Sequence, residues 1–137
     1  MANAHELIVS RSDAEVLALM LGERRPQPAL DAAAANALAD VLLEARLVAP
    51  EQLPADRIAL GSKVTYEAGA ARERRSVVLV HPIEAEVAAG RISVLSPVGL
   101  ALLGRAAGAV VHVATPGAKV LTLRILETSK NRDALAA

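Results

Sequence analysis

The sequence predicts an α+β protein: a short antiparallel helical hairpin at the N-terminus, then a small, mostly antiparallel sheet carrying one short helix. Three observations carry this reading. Over the first 48 residues apolar side chains recur at three- and four-residue steps; after Pro54 they alternate with polar ones; and residues 90–104 change from alternation to a capped helical turn.

In chain order, Ser12-Asp13-Ala14-Glu15 has capping-box spacing and predicts a helix start, with Val16, Leu19 and Met20 as its apolar stripe and Gly22 as its stop. Such an arm has about 11 residues and spans roughly 16 Å. Glu23-Arg24-Arg25-Pro26-Gln27-Pro28 is a polar connector, after which Leu30, Ala34, Ala37, Leu38, Val41, Ala45 and Val48 mark a second helix. Its alanines allow the close approach of two antiparallel helices, which makes a helical hairpin, a short coiled coil, the natural arrangement. Pro50 to Pro54 breaks the period. The expected organisation is a hairpin over residues 1–49, a linker over 50–57, a sheet domain over 58–129 and a frayed tail over 130–137.

Val64 and Tyr66 alternate with polar neighbours as a half-buried strand does, and residues 69–75 read as a solvated hairpin turn. Val77-Val78-Leu79-Val80 is apolar on both faces and needs a covering layer. That layer follows. Ile92 and Val94 alternate, Ser96 is a preferred N-cap, and Pro97 suits the first helical position because its missing N–H has no partner there. Leu100 and Leu103 lie one turn apart on one face, and Gly104 is placed to stop the helix with a left-handed residue. Two further strands, residues 110–114 and 120–126, are joined by Thr115-Pro116-Gly117-Ala118 in the manner of a type II turn.

Composition narrows function. Hydrophobic residues make up 53% of the chain but aromatic ones only 1%, so the core is aliphatic and no aromatic-walled ligand pocket can be built; Tyr66 is the sole aromatic residue. Fifteen basic and fifteen acidic residues cancel, which argues against a dedicated nucleic-acid binder. There is no cysteine, hence no disulfide framework and no thiolate chemistry. No signal-peptide pattern or apolar run of about 20 residues is present, and a cytoplasmic location is expected.

His5, His81 and His112 are scattered without metal-ligand spacing, and no nucleophile elbow, phosphate loop or dinucleotide fingerprint occurs. No catalytic residue, metal or cofactor is therefore expected. Two charged clusters remain: Arg72-Glu73-Arg74-Arg75 on the predicted turn, and Glu23, Arg24 and Arg25 at the hairpin tip. Solvation explains both, although a protruding tip is also well placed to meet a partner.

The ordered motifs Gly61-Ser62-Lys63-Val64, residues 90–104 with Ile92-Ser93-Val94 and Ser96-Pro97-Val98-Gly99, and residues 108–113 with Thr115-Pro116-Gly117 resemble those of the Rnk group. These are regulators of nucleoside diphosphate kinase, related to the GreA/GreB transcript-cleavage factors, and the likeness covers about residues 58–127. It implies an FKBP-like C-terminal domain that docks on RNA polymerase at the rim of the secondary channel, with the hairpin pointing inward and Ser96 and Pro97 in the docking surface. It leaves the kinase as an indirect link, and implies no sequence-specific nucleic-acid binding and no membrane partner.

Physical chemistry limits what the resemblance transfers. Gre factors present acidic residues at a long tip to help hold a catalytic magnesium, whereas this tip offers Glu23 beside Arg24 and Arg25, with Asp31 further along. Adjacent cations repel a divalent metal. The expectation is a non-catalytic regulator that competes with Gre-type factors; the alternatives are a cleavage-stimulating factor using Glu23 and Asp31, or a protein acting directly on the kinase. Prolyl isomerase activity is not expected from a pocket without aromatic walls.

Overall fold

The computed structural model describes residues 5–22, 32–114 and 119–130. The chain enters through β1 (Ile8–Ser10), whose residues are all buried. β1 pairs in parallel with β2 (Arg46–Val48), and between them run α1 (Arg11–Gly22) and α2 (Ala32–Glu44), which touch each other. The residues joining the helices, with Glu23, Arg24, Arg25, Leu30 and Asp31, lie outside the described residues.

α1 starts earlier than the capping-box spacing suggests. Ser10 Oγ accepts a hydrogen bond from the Asp13 N–H at 3.2 Å, so Ser10, the last residue of β1, caps the helix in place of Ser12. That phase turns Ala14, Leu17 and Met20 inward, while Val16 and Leu19 are 37% and 69% exposed. Only Met20 of the expected stripe is buried. α2 likewise stops at Glu44, because Arg46–Val48 satisfies its backbone against β1. Val48 is therefore a strand residue.

The main sheet comprises β3 (Ser62–Ala68), β4 (Glu73–Val80), β5 (Arg91–Ser93), β6 (Val110–Ala114) and β7 (Val120–Lys130), in the order β5-β4-β3-β7-β6. Only the β4–β5 pairing is parallel. β3 alternates as its sequence does, with Ser62, Val64 and Tyr66 inward. The expected turn over residues 69–75 is shorter, since Glu73, Arg74 and Arg75 already belong to β4 and pair with Ala68, Glu67 and Tyr66. β7 also outlasts its apolar run: Ser129 and Lys130 pair with Lys63 and Ser62. The turn at residues 115–118 lies outside the described residues.

α3 (Pro97–Leu102) lies over the sheet and buries Leu100 and Leu102 in one aliphatic core with Val64, Leu79, Val111, Leu123 and Ile125. The structure is thus a mixed helix-and-sheet fold, with three α-helices among the described residues.

Candidate functional site

The switch from β5 to α3 is built by local hydrogen bonds. Ser93 Oγ accepts from the Leu95 N–H at 3.0 Å, Ser96 Oγ donates to the Ser93 carbonyl at 2.7 Å, and Ser96 Oγ accepts from the Gly99 N–H at 3.1 Å. The Ser96 hydroxyl is spent on this cap. Pro97 occupies the first helical position with its ring exposed. Gly99 completes the turn, since a Cβ there would lie 2.2 Å from the Ser93 carbonyl oxygen. The first turn of α3 therefore rests directly on the backbone before it.

Pro97 stands at the mouth of a groove of about 580 Å³ between α2 and the sheet. Ala33, Ala34, Ala37 and Val41 form the α2 wall; Leu95, Ser96, Pro97, Leu100 and Ala101 form the α3 wall; His112 and Val113 of β6 close the end. The lining is mainly aliphatic. Its polar residues are Ser93, Ser96 and His112, and the Ser96 hydroxyl is already engaged in the helix cap. The alanine stripe that suggested helix-to-helix packing lines this groove as well.

At the far end of α3, the chain is tied to the N-terminal segment. Gly104 has φ +79°, and a Cβ on it would lie 3.3 Å from Ile8 N and O. Its own N–H donates to the Ile58 carbonyl, and its carbonyl accepts from the Ile8 N–H at 3.2 Å. Arg57, 5% exposed, donates to the Gly104 and Glu6 carbonyls at 3.3 and 2.5 Å, and Arg105 donates to the His5 carbonyl. Burial pulls the Arg105 guanidinium below its ordinary pKa, and the Glu44 carboxylate partly offsets this. On α1, Asp13 Oδ2 accepts from the Leu60 N–H at 3.0 Å. Burial raises the Asp13 carboxyl above its ordinary value, more than the Leu60 hydrogen bond lowers it. These contacts fix the pose of the helices against the sheet. Sequence reading missed them, because each joins residues 46 or more apart.

Each histidine makes a hydrogen-bond contact within the fold. His81 Nδ1 accepts from the Ile83 N–H at 3.2 Å and caps the 3-10 turn Pro82–Glu84; His112 Nδ1 lies 3.1 Å from Thr122 Oγ1; His5 Nε2 accepts from the Val110 N–H at 3.1 Å. Among the described residues no group of three or more His, Cys, Asp or Glu is placed to hold a metal, and no helix is long and apolar enough to cross a membrane. Of the sequence-predicted site residues, Ser96 and Pro97 stand together at the groove, whereas the tip cluster of Glu23, Arg24 and Arg25 falls outside the described residues.

An α3 switch of this kind on a five-stranded mixed sheet, with paired helices before it, has known counterparts. The family model for the C-terminal part of the transcription elongation factors GreA/GreB matches residues 53–130, and the chain belongs to that family. Along nearly its whole length it is also similar to the regulator of nucleoside diphosphate kinase of Escherichia coli strain K12, at 32% identity over 129 residues, covering 93% of this chain and 92% of the relative. Similarity to the transcription elongation factor GreA of Brucella canis is 35% over 82 residues, 60% of this chain and 52% of that one. Among solved structures, a GreA/GreB elongation factor from Nitrosomonas europaea superposes with a TM-score of 0.71 at 31% identity, covering 90% of this chain and 98% of that chain. These relatives are named as regulators or elongation factors, not as catalysts.

Proposed function

We propose that this protein is a non-catalytic transcription regulator that binds RNA polymerase at the rim of the secondary channel through its sheet domain, and competes there with Gre-type factors. The observation that carries the reading is the exposed Pro97 ring at the mouth of an aliphatic groove. Ser96 acts as its support, since the hydroxyl is engaged in capping and leaves the proline and groove to meet the partner. A sheet domain of the FKBP-like type, with a paired-helix arm aimed into the channel, fits the family and the element order.

The short arm favours occupancy over chemistry. α1 has 12 residues, so it spans about 18 Å, and the tip sequence places Arg24 and Arg25 beside its one carboxylate, Glu23. Backtracked elongation complexes test this. Adding the protein to complexes that contain a Gre-type cleavage factor suppresses RNA cleavage in proportion to its concentration, and the protein alone releases no shortened RNA. Shortened RNA produced by the protein alone, and lost in Glu23→Ala, overturns the reading. The kinase named in the Escherichia coli relative is an indirect link in this account; co-purification with that kinase and not with polymerase would replace it.

A further inference from the structure

A second cleft, of about 400 Å³, opens on the other side of α3, between Val98, the β3–β4 turn and Leu121 of β7. Its floor holds Tyr66, the chain's only aromatic residue, which is 6% exposed. Among the described residues the Tyr66 hydroxyl has no hydrogen-bond partner, and it is not one of the buried polar atoms left without one, so it meets solvent. The ring is packed and the hydroxyl is left at the cleft surface, where a ligand atom can reach it. Directly across from Tyr66 on β4 sits Arg75, on the same face of the sheet.

Arg75 is held at 3.1 Å by Glu73, but both side chains are more than 60% exposed, and such a solvated pair is weak. One guanidinium nitrogen serves Glu73 and the others remain available. Tyr66 and Arg75 thus present two donors side by side, while Val98, Leu121 and Ala68 form an aliphatic wall beside them. The Arg75 charge already acts on the Tyr66 phenol, drawing its pKa down against the burial that raises it.

We propose that this cleft binds a small aliphatic carboxylate, with the carboxylate on Arg75 and the Tyr66 hydroxyl and the alkyl chain against Val98 and Leu121. A nucleic-acid base cannot stack on Tyr66, whose faces are buried, and a doubly charged phosphate is repelled by Glu73 more strongly than a single carboxylate is. The inference stands apart from polymerase docking, which uses the opposite side of α3.

The molecule carries its own reporter, because all tyrosine absorption and fluorescence comes from Tyr66. Isovalerate added to the full chain gives a saturable change in that signal, and isovaleramide, its uncharged isostere, binds about tenfold more weakly. In calorimetry Arg75→Gln weakens isovalerate binding about tenfold, whereas Arg74→Gln, the same charge loss on the opposite face of β4, leaves it unchanged. Tyr66→Phe keeps the ring packed and weakens binding about fivefold. The absence of a saturable signal overturns the proposal. So do equal effects of Arg74→Gln and Arg75→Gln, or isovalerate binding undiminished in a folded Tyr66→Phe.

Discussion

The helical and sheet parts of this molecule are held in different ways. The sheet and α3 close on a continuous aliphatic core in which Val64, Leu79, Leu102, Leu103 and Leu123 have no exposed surface. α2 buries only Leu38, α1 buries Ala14, Leu17 and Met20, and the helices leave Leu19 and Leu43 69% and 84% exposed. The four buried side chains join the core of the sheet, and backbone and polar contacts around Gly104, Arg57 and Asp13 add to the attachment. Apolar burial is dense in the sheet and sparser in the helices, where hydrogen bonds supplement it. A partner that reads both α2 and α3 across the groove depends on both kinds of contact.

Substitutions that separate these contributions form a graded series. Leu103→Ala empties a fully buried position and is expected to cost about 2–5 kcal/mol in urea unfolding, lowering the transition of the whole chain. Gly104→Ala forces a side chain onto φ +79° and against Ile8, and is expected to cost about 1–3 kcal/mol. Its distinguishing effect is faster amide exchange in β1 and β2 than in the main sheet, and uniform loss of protection would contradict the division drawn above.

Asp13→Ala removes the acceptor of the Leu60 N–H and is expected to cost about 1 kcal/mol, whereas Asp13→Asn keeps an acceptor and does not. The pH dependence of the two follows. Burial raises the Asp13 carboxyl above 3.8, so the folded chain holds that proton more tightly than the unfolded chain. The contribution of this group to stability is full below 3.8, declines as pH rises through the raised folded value, and is level at neutrality. Urea midpoints of wild type minus Asp13→Asn isolate that decline; a difference independent of pH contradicts it. Ser96→Ala is expected to cost no more than Asp13→Ala, about 1 kcal/mol for a lost helix cap, visible as a lowered thermal midpoint.

The sequence reveals features whose chemistry is local. Ser96, Pro97 and Gly104 define a helix by capping rules that operate within a few residues, and β3 shows itself by alternation. Contacts made at long range leave no such trace. β1 and β2 are three residues each, too short for a period, and their pairing joins Ile8 to Arg46. Two serines near one helix start make the cap ambiguous, and the burial of β1 settles it in favour of Ser10. Glu73 to Arg75 look like a turn because a charged strand end and a loop share a composition, so the Tyr66–Arg75 pair emerges only once the register is known. The groove is half legible: Pro97 stands out in the motif, but its alanine wall comes from α2, remote in sequence and packed against the common core.

The central claim, that the exposed face of α3 beside α2 is the docking surface, is tested most directly by the affinity of Pro97→Asp for the cognate RNA polymerase. Pro97 is exposed and the Ser96 cap does not use its side chain, so the variant is expected to keep its fold, verified by its circular dichroism and thermal midpoint. The account predicts an affinity loss of about tenfold or more, from a charge placed in an apolar contact. Undiminished binding by a folded Pro97→Asp would contradict it.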